Sequence, residues 1–158
     1  MKESLFYKNA SEALFRERDR LISFCETLDK SPKDKKQKIA EYKCAKYRCA
    51  TVGRICMLLY HGNRVYQSSA IHIDIENRLK QSTDVLAILE NASDEEKIDF
   101  KLYYGISAIA EDILVDLQKK ISVATDWEKI ELDERIGGLQ FAKACLDEAW
   151  QKRKDVIE

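Results

Sequence analysis

The sequence predicts an all-α protein, an up-and-down bundle of four to five long antiparallel helices in a single domain over residues 1–158. Three observations predict it. Backbone breakers are scarce, with five glycines and one proline in 158 residues, so long helices meet little intrinsic resistance. Apolar residues recur every three or four positions, the period of a helix with one buried side. Capping signatures follow one another at short range, which implies short connections and antiparallel neighbours.

The first helix is expected over about residues 3–29, with Leu5, Ala10, Leu14, Leu21, Phe24 and Cys25 inward. Asn9-Ala10-Ser11-Glu12 offers a later start through a capping box. The break at Lys30-Ser31 is followed by Ser31-Pro32-Lys33-Asp34: a hydroxyl cap, proline at the first helical position and an acid at the third. The second helix should run to about His61 and end at Gly62-Asn63. Ala70 to Ile75 alternates like a strand, yet Ile71, Ile75, Leu79, Leu86 and Leu89 share one helical stripe. No second strand-like run exists to pair with it, so a helix is expected over residues 68–90. Ser93-Asp94-Glu95-Glu96 is a capping box opening a helix to about Ser122, with Ile98, Leu102, Ile106, Ile109, Ile113, Leu117 and Ile121 inward. Thr125-Asp126-Trp127-Glu128 opens the last helix in the same way, to about Asp155, with Ile130, Ile136, Leu139, Ala142, Leu146 and Trp150 inward. Gly137-Gly138 inside it predicts a kink or a close helix crossing.

The chain is 45% hydrophobic and 35% charged, too apolar for a disordered segment and richer in charge than an average domain. It has no apolar run long enough to span a bilayer. Met1 to Phe15 lacks the apolar core of a signal peptide, so a cytoplasmic location is expected. The five cysteines are an odd number without a CxxC pair. They read as small buried hydrophobes in a reducing compartment, and neither metal nor cofactor is expected. No serine triad or Gly-rich phosphate loop is present.

The net charge of −1 hides an asymmetry. Residues 30–64 carry ten basic residues against two acidic ones, +8; the remainder carries 17 against 26, −9. On the second helix Tyr42, Ala45, Cys49, Val52, Cys56 and Leu59 form the expected apolar stripe, and Lys35, Lys36, Lys43 and Lys46 fall elsewhere. Tyr47, Arg54 and His61 line up near Lys36 and Lys43. Such a block creates a directional field. Lys35, Lys36, Lys43, Lys46, Tyr47 and Arg54 are therefore the expected partner-binding surface. An aromatic among cations also suits a nucleic-acid backbone, although a pI near 6.2 is low for a tight nucleic-acid binder.

Two family resemblances accompany this reading. Glu111-Asp112-x3-Asp116 resembles half of the magnesium site of all-helical nucleoside-triphosphate pyrophosphohydrolases. Their second motif, EExxE, is matched only in part by Glu95-Glu96, since Asp99 stands at its last position. Arg54-x6-His61 resembles the arginine–histidine motif of HEPN ribonucleases, which are small helical bundles. That resemblance implies a metal-independent RNase in which Arg54 and His61 meet across a dimer interface and act on a phosphate. Spacing of seven places both on one helix face, about 10.5 Å apart along the axis. The preferred reading of the residues themselves is structural: Arg54 pairs with a carboxylate of another helix, and His61 sits at the helix C-terminus, where a cation is favoured.

The expected function is binding without catalysis: an adaptor, regulatory or assembly protein that engages an acidic protein or itself through the basic face of residues 30–64. The HEPN-like ribonuclease and a helical RNA-binding subunit are the alternatives. No membrane association is expected.

Overall fold

The computed structural model describes residues 4–63 and 91–157, together with the helical positions 77, 80, 87 and 90. Among the described residues the protein is all-helical and packs as a four-helix bundle. Its helices are α1 (Leu5–Leu28), α2 (Lys35–Gly62), α3 (Asp94–Ile121) and α4 (Asp126–Ile157). The helix expected over residues 68–90 lies largely outside the described residues.

Each start has an identifiable cause. Ser4 caps α1, its hydroxyl accepting from the Tyr7 N–H at 3.0 Å, so Asn9 is an interior residue and not a cap. Asp34, not Ser31, caps α2. Its carboxylate accepts from the Gln37 N–H at 2.8 Å, and a carboxylate suits the positive end of a helix. Ser31 serves the preceding turn and accepts from the Lys33 N–H. Ser93 and Glu96 form the expected reciprocal capping box of α3. At α4 the Glu128 N–H goes to the Thr125 backbone carbonyl at 3.1 Å. The chain turns there through Asp126 at φ 48, a left-handed conformation that aspartate tolerates better than most residues. α2 ends on Asn63 at φ −79, and no described glycine adopts positive φ.

Contacts along the helices give their directions. Lys38 reaches the Asp29 carbonyl and Arg48 approaches Glu17, so α1 and α2 are antiparallel. Asp99–Arg153, Tyr103–Asp147 and Glu111–Lys143 pair α3 and α4 in opposite directions. Lys43 lies over Trp127, Tyr47 under Arg135 and Arg48 over Phe141, so α2 and α4 run parallel. That parallel seam is the most extensive contact in the bundle, where an alternating antiparallel order was expected.

Glycine makes the seam possible. A Cβ on Gly138 would lie 2.4 Å from both the Arg48 carbonyl oxygen and Thr51 Oγ1. The expected close crossing is thus at this residue. Thr51 is buried there and donates to the Arg135 carbonyl at 2.8 Å.

The core joins Phe6, Ala10 and Leu14 of α1, Val52, Ile55, Cys56 and Leu59 of α2, Leu102, Ile106 and Ala110 of α3, and Leu139, Ala142 and Leu146 of α4. Several expected inward positions are not in it. Tyr42, Ile98 and Ile130 are exposed, and Phe6 and Leu28 replace Leu5 and Phe24 in the buried row of α1. Neighbours on a helix differ by 100° in direction, so a chain this rich in apolar residues offers more than one stripe, and packing selects among them.

One end of the bundle is pinned by polar and aromatic groups. Arg153 donates to Asp99 at 2.5 Å, both side chains buried. The Ser4 hydroxyl donates to the same carboxylate. Trp150 stacks on Tyr103 with ring centroids 4.7 Å apart, and Phe6 meets both edge-on.

Candidate functional site

The basic block of residues 30–64 is carried by α2 and the turn before it, and the fold treats its members differently. Lys33 pairs with Glu41 at 2.7 Å, Lys38 donates to the Asp29 carbonyl at 3.0 Å, and Arg48 sits near Glu17 and Phe141. These three cations serve the fold. Lys35, Lys36, Lys43, Lys46 and Arg54 are exposed, and none has an ion pair among the described residues.

The expected binding residues do not form one continuous patch. Lys36, Lys43, Tyr47 and Arg54 run along the side of α2 that turns toward α4. Lys43 Nζ lies 5.3 Å from the ring centroid of Trp127, which is 62% exposed. Tyr47 is half-buried, its face covered by the Arg135 guanidinium at 5.2 Å. A base could not stack on that face without displacing Arg135. Lys46 lies on the other side, in a groove between α1 and α2.

Arg54 lines a cleft of about 630 Å³ bounded by α2, α3 and the start of α4. Its side chain is exposed, and no carboxylate among the described residues pairs with it. The flanking Ile55 points into the core, and the 100° turn per residue carries Arg54 to the surface. Lys120 and Arg135 share the cleft with Asp116, Glu128 and Glu131 above a floor that includes Ile113, Leu117 and Leu132. Lys120 pairs with Asp116 at 3.0 Å and Arg135 with Glu131 at 3.1 Å. This mixture of signs makes a poor cradle for a phosphate, which gains from converging cations. His61 does not line the cleft. It occupies the last turn of α2, as the dipole favours, with its ring edge-on to Tyr60 at 5.2 Å. Within one chain Arg54 and His61 therefore do not converge.

The acidic motif is also committed elsewhere. Asp99 is held by Arg153 and Ser4, Glu111 by Lys143 and Asp116 by Lys120. Among the described residues no three His, Cys, Asp or Glu side chains gather as a metal site, and no helix is long and apolar enough to cross a membrane.

Sequence reasoning missed a second stripe on α2. Ile39 (45% exposed), Tyr42 (46%), Met57 (59%) and Tyr60 (43%) face outward, with exposed Ala50 between them. Gly53 belongs to the same stripe, and a Cβ there would meet nothing within 4 Å. The positions 39, 42, 50, 53, 57 and 60 fall within about 80° of one another on a helix of 3.6 residues per turn. Their spacing is readable in the sequence, but Tyr42 fits the inward stripe equally well. The stripe borders the α1–α2 groove of about 570 Å³, where Leu21, Ile22 and Cys25 meet Tyr42, Lys46 and Cys49. Burial pushes the thiols of Cys25 and Cys49 up from their ordinary range, so neither is an activated nucleophile.

No protein-family model, curated protein or solved structure matches the chain, and the functional reading rests on these residues and their placement.

Proposed function

We propose that the protein is a non-enzymatic interaction module that binds an acidic protein surface through α2. The observation that carries this reading is a set of exposed cations of α2, Lys35, Lys36, Lys43, Lys46 and Arg54, without ion pairs among the described residues, that flank exposed apolar side chains of the same helix. An apolar strip with a charged margin is the usual anatomy of a protein interface. The cations supply attraction at a distance and the apolar strip supplies the contact. A synthetic glutamate-rich amphipathic helical peptide is the direct probe. Its binding should weaken as salt rises and be lost when Lys36, Lys43 and Lys46 are all changed to glutamate. Binding unchanged by that triple reversal at low salt would remove this reading.

A second reading, a HEPN-like ribonuclease, is favoured by one observation: the Arg54 guanidinium is exposed and has no ion pair among the described residues. It requires cleavage of an RNA oligonucleotide that disappears in Arg54→Ala and in His61→Ala while both variants stay folded. A protein inert on RNA excludes it. The RNA-binding alternative is weakened by the α4 carboxylates Glu128 and Glu131 that share the cleft with Arg54 and by the Arg135 guanidinium over one face of Tyr47.

A further inference from the structure

We infer that the acidic surface met by α2 is the α1–α2 edge of a second copy, the two α2 helices lying parallel about a two-fold axis that runs along them. This rests on the reading above for the role of the lysine row and adds the partner's identity.

Ile39, Tyr42 and Met57 of the outward stripe of α2 are exposed, and Ile22 of α1 is exposed across the groove. Gly53 sits in the middle of the stripe. Glycine is the poorest helix former apart from proline, and here no packing among the described residues requires it, since a Cβ would meet nothing within 4 Å. Its use is to let another backbone approach closely.

Charge selects the occupant. On the α4 side the stripe is bordered by Lys36 and Lys43; on the α1 side it is bordered by Glu26 and Asp29. All four are exposed, and none has an ion pair among the described residues. Their heights along the helix agree to within about one turn, which long side chains span: Glu26 and Asp29 are about 4.5 Å apart along α1, Lys36 and Lys43 about 10.5 Å apart along α2. The Lys38 ammonium reaches the Asp29 carbonyl, which sets Asp29 beside the first turn of α2, near Lys36. Glu26 lies nearly one turn back along α1 and lines the groove with Tyr42, which sets it near Lys43. A two-fold axis parallel to α2 keeps height and exchanges sides. Lys43 of each copy then faces Glu26 of the other, and Lys36 faces Asp29. An antiparallel pairing keeps the sides and sets lysine against lysine. Lys35 and Lys46 also lie within the stripe: Lys35 is the first residue of α2, at the end of the contact, and Lys46 lines the groove with Glu26 and Asp29 and can turn its ammonium there, away from its counterpart.

The area is sufficient. Two adjacent helices about 10 Å wide and about 30 Å long present a flat footprint of about 600 Å² per copy, close to the roughly 800 Å² per partner of a standard interface.

Sedimentation velocity of the intact protein over a range of concentrations tests the inference. The expected result is a monomer–dimer equilibrium that weakens with salt. Lys43→Glu and Glu26→Lys should each lower the association constant about tenfold or more, and the double variant Lys43→Glu/Glu26→Lys should restore it, since each copy then carries the exchanged pair. Met57→Lys should also dissociate the dimer while circular dichroism remains helical. A monomer at every concentration overturns the inference; if that monomer still binds the glutamate-rich peptide, the acidic-partner reading survives. A dimer that the two charge reversals leave intact, or that the double variant fails to restore, also overturns it. A dimer that meets these expectations in a protein that ignores the peptide leaves self-association as the function and removes the broader acidic-partner reading.

Discussion

The two sides of α2 use glycine in opposite ways. On the side sealed by α4, a Cβ on Gly138 would strike the Arg48 carbonyl oxygen and Thr51 Oγ1, each at 2.4 Å. On the open side Gly53 has no heavy atom within 4 Å of the same construction. The first glycine is needed for the bundle to close; the second is not. The sealed side also holds buried Thr51 and its bond across the seam, whereas the open side carries tyrosine, methionine and lysine in water. A residue type alone therefore does not report whether a helix face is finished. Its surroundings do.

The largest way to break this contrast is Gly138→Val. Backbone on the facing helix cannot move aside as a side chain can, so overpacking should cost about 3 kcal/mol, read from urea unfolding. Gly137→Ala is the internal control. Its added Cβ would meet only the flexible end of Arg48, at 2.9 Å, and the variant should stay within about 1 kcal/mol of the parent.

Thiol ionisation sharpens the same contrast. Burial pushes Cys56 up from 9.0 to about 12, while Cys49, nearer the open groove, is half-buried and its thiol also raised. Below pH 9 the Cys56 thiol is protonated in both folded and unfolded chains and contributes no pH dependence. Between about pH 9 and about 12 the unfolded chain releases this proton and the folded chain keeps it, so stability falls as pH rises. Melting temperature should decline across that window, and less steeply in Cys56→Ala. A thiol reagent should modify Cys25 and Cys49 well before Cys56; equal rates would show that the α2 core opens readily.

Thr51→Val keeps the volume of the seam and removes its cross-helix bond, so about 1 kcal/mol should be lost. Gly53→Ala should act in the other direction, raising the stability of the monomer by about 0.5 to 1 kcal/mol through helix propensity, as measured by thermal unfolding at low concentration. Arg54→Ala should change stability least, within about 0.5 kcal/mol, because the side chain is exposed without an ion pair among the described residues. A loss of several kcal/mol would restore the structural role expected from sequence.

Local signals were legible in the sequence. The Ser93–Glu96 capping box and the end of α2 are where short-range chemistry placed them. At the start of α2 two capping residues competed, and Asp34 prevailed over Ser31 because the charged acceptor stands next to Lys35, the first helical residue. Long-range choices were not legible. The parallel α2–α4 seam depends on which of several apolar stripes meet, and periodicity cannot rank them. Tyr42 shows the consequence for the candidate site. It shares the helical period of both the buried and the outward stripe of α2, and only packing assigns it to the outer one. Arg54 was readable as a cation beside the core, but its exposure depends on where α3 and α4 leave their cleft.

The pin at one end of the bundle has a bearing on how the chain acquires its structure. Phe6 and Ser4 find their partners on Tyr103, Asp99 and Trp150, and none of these has been synthesised when α1 leaves the ribosome. α2 packs along α1 and can cover most of its apolar row as soon as it is made, but the Phe6 end must wait for α3 and most of α4. Contacts this distant in sequence are slow to form because a long loop must close first. During that interval the Phe6 end of α1 is a transient hydrophobic segment of the kind that chaperones retain and that aggregates when they do not. For this protein the hazardous step is therefore synthesis, before the last helix arrives, more than the finished fold.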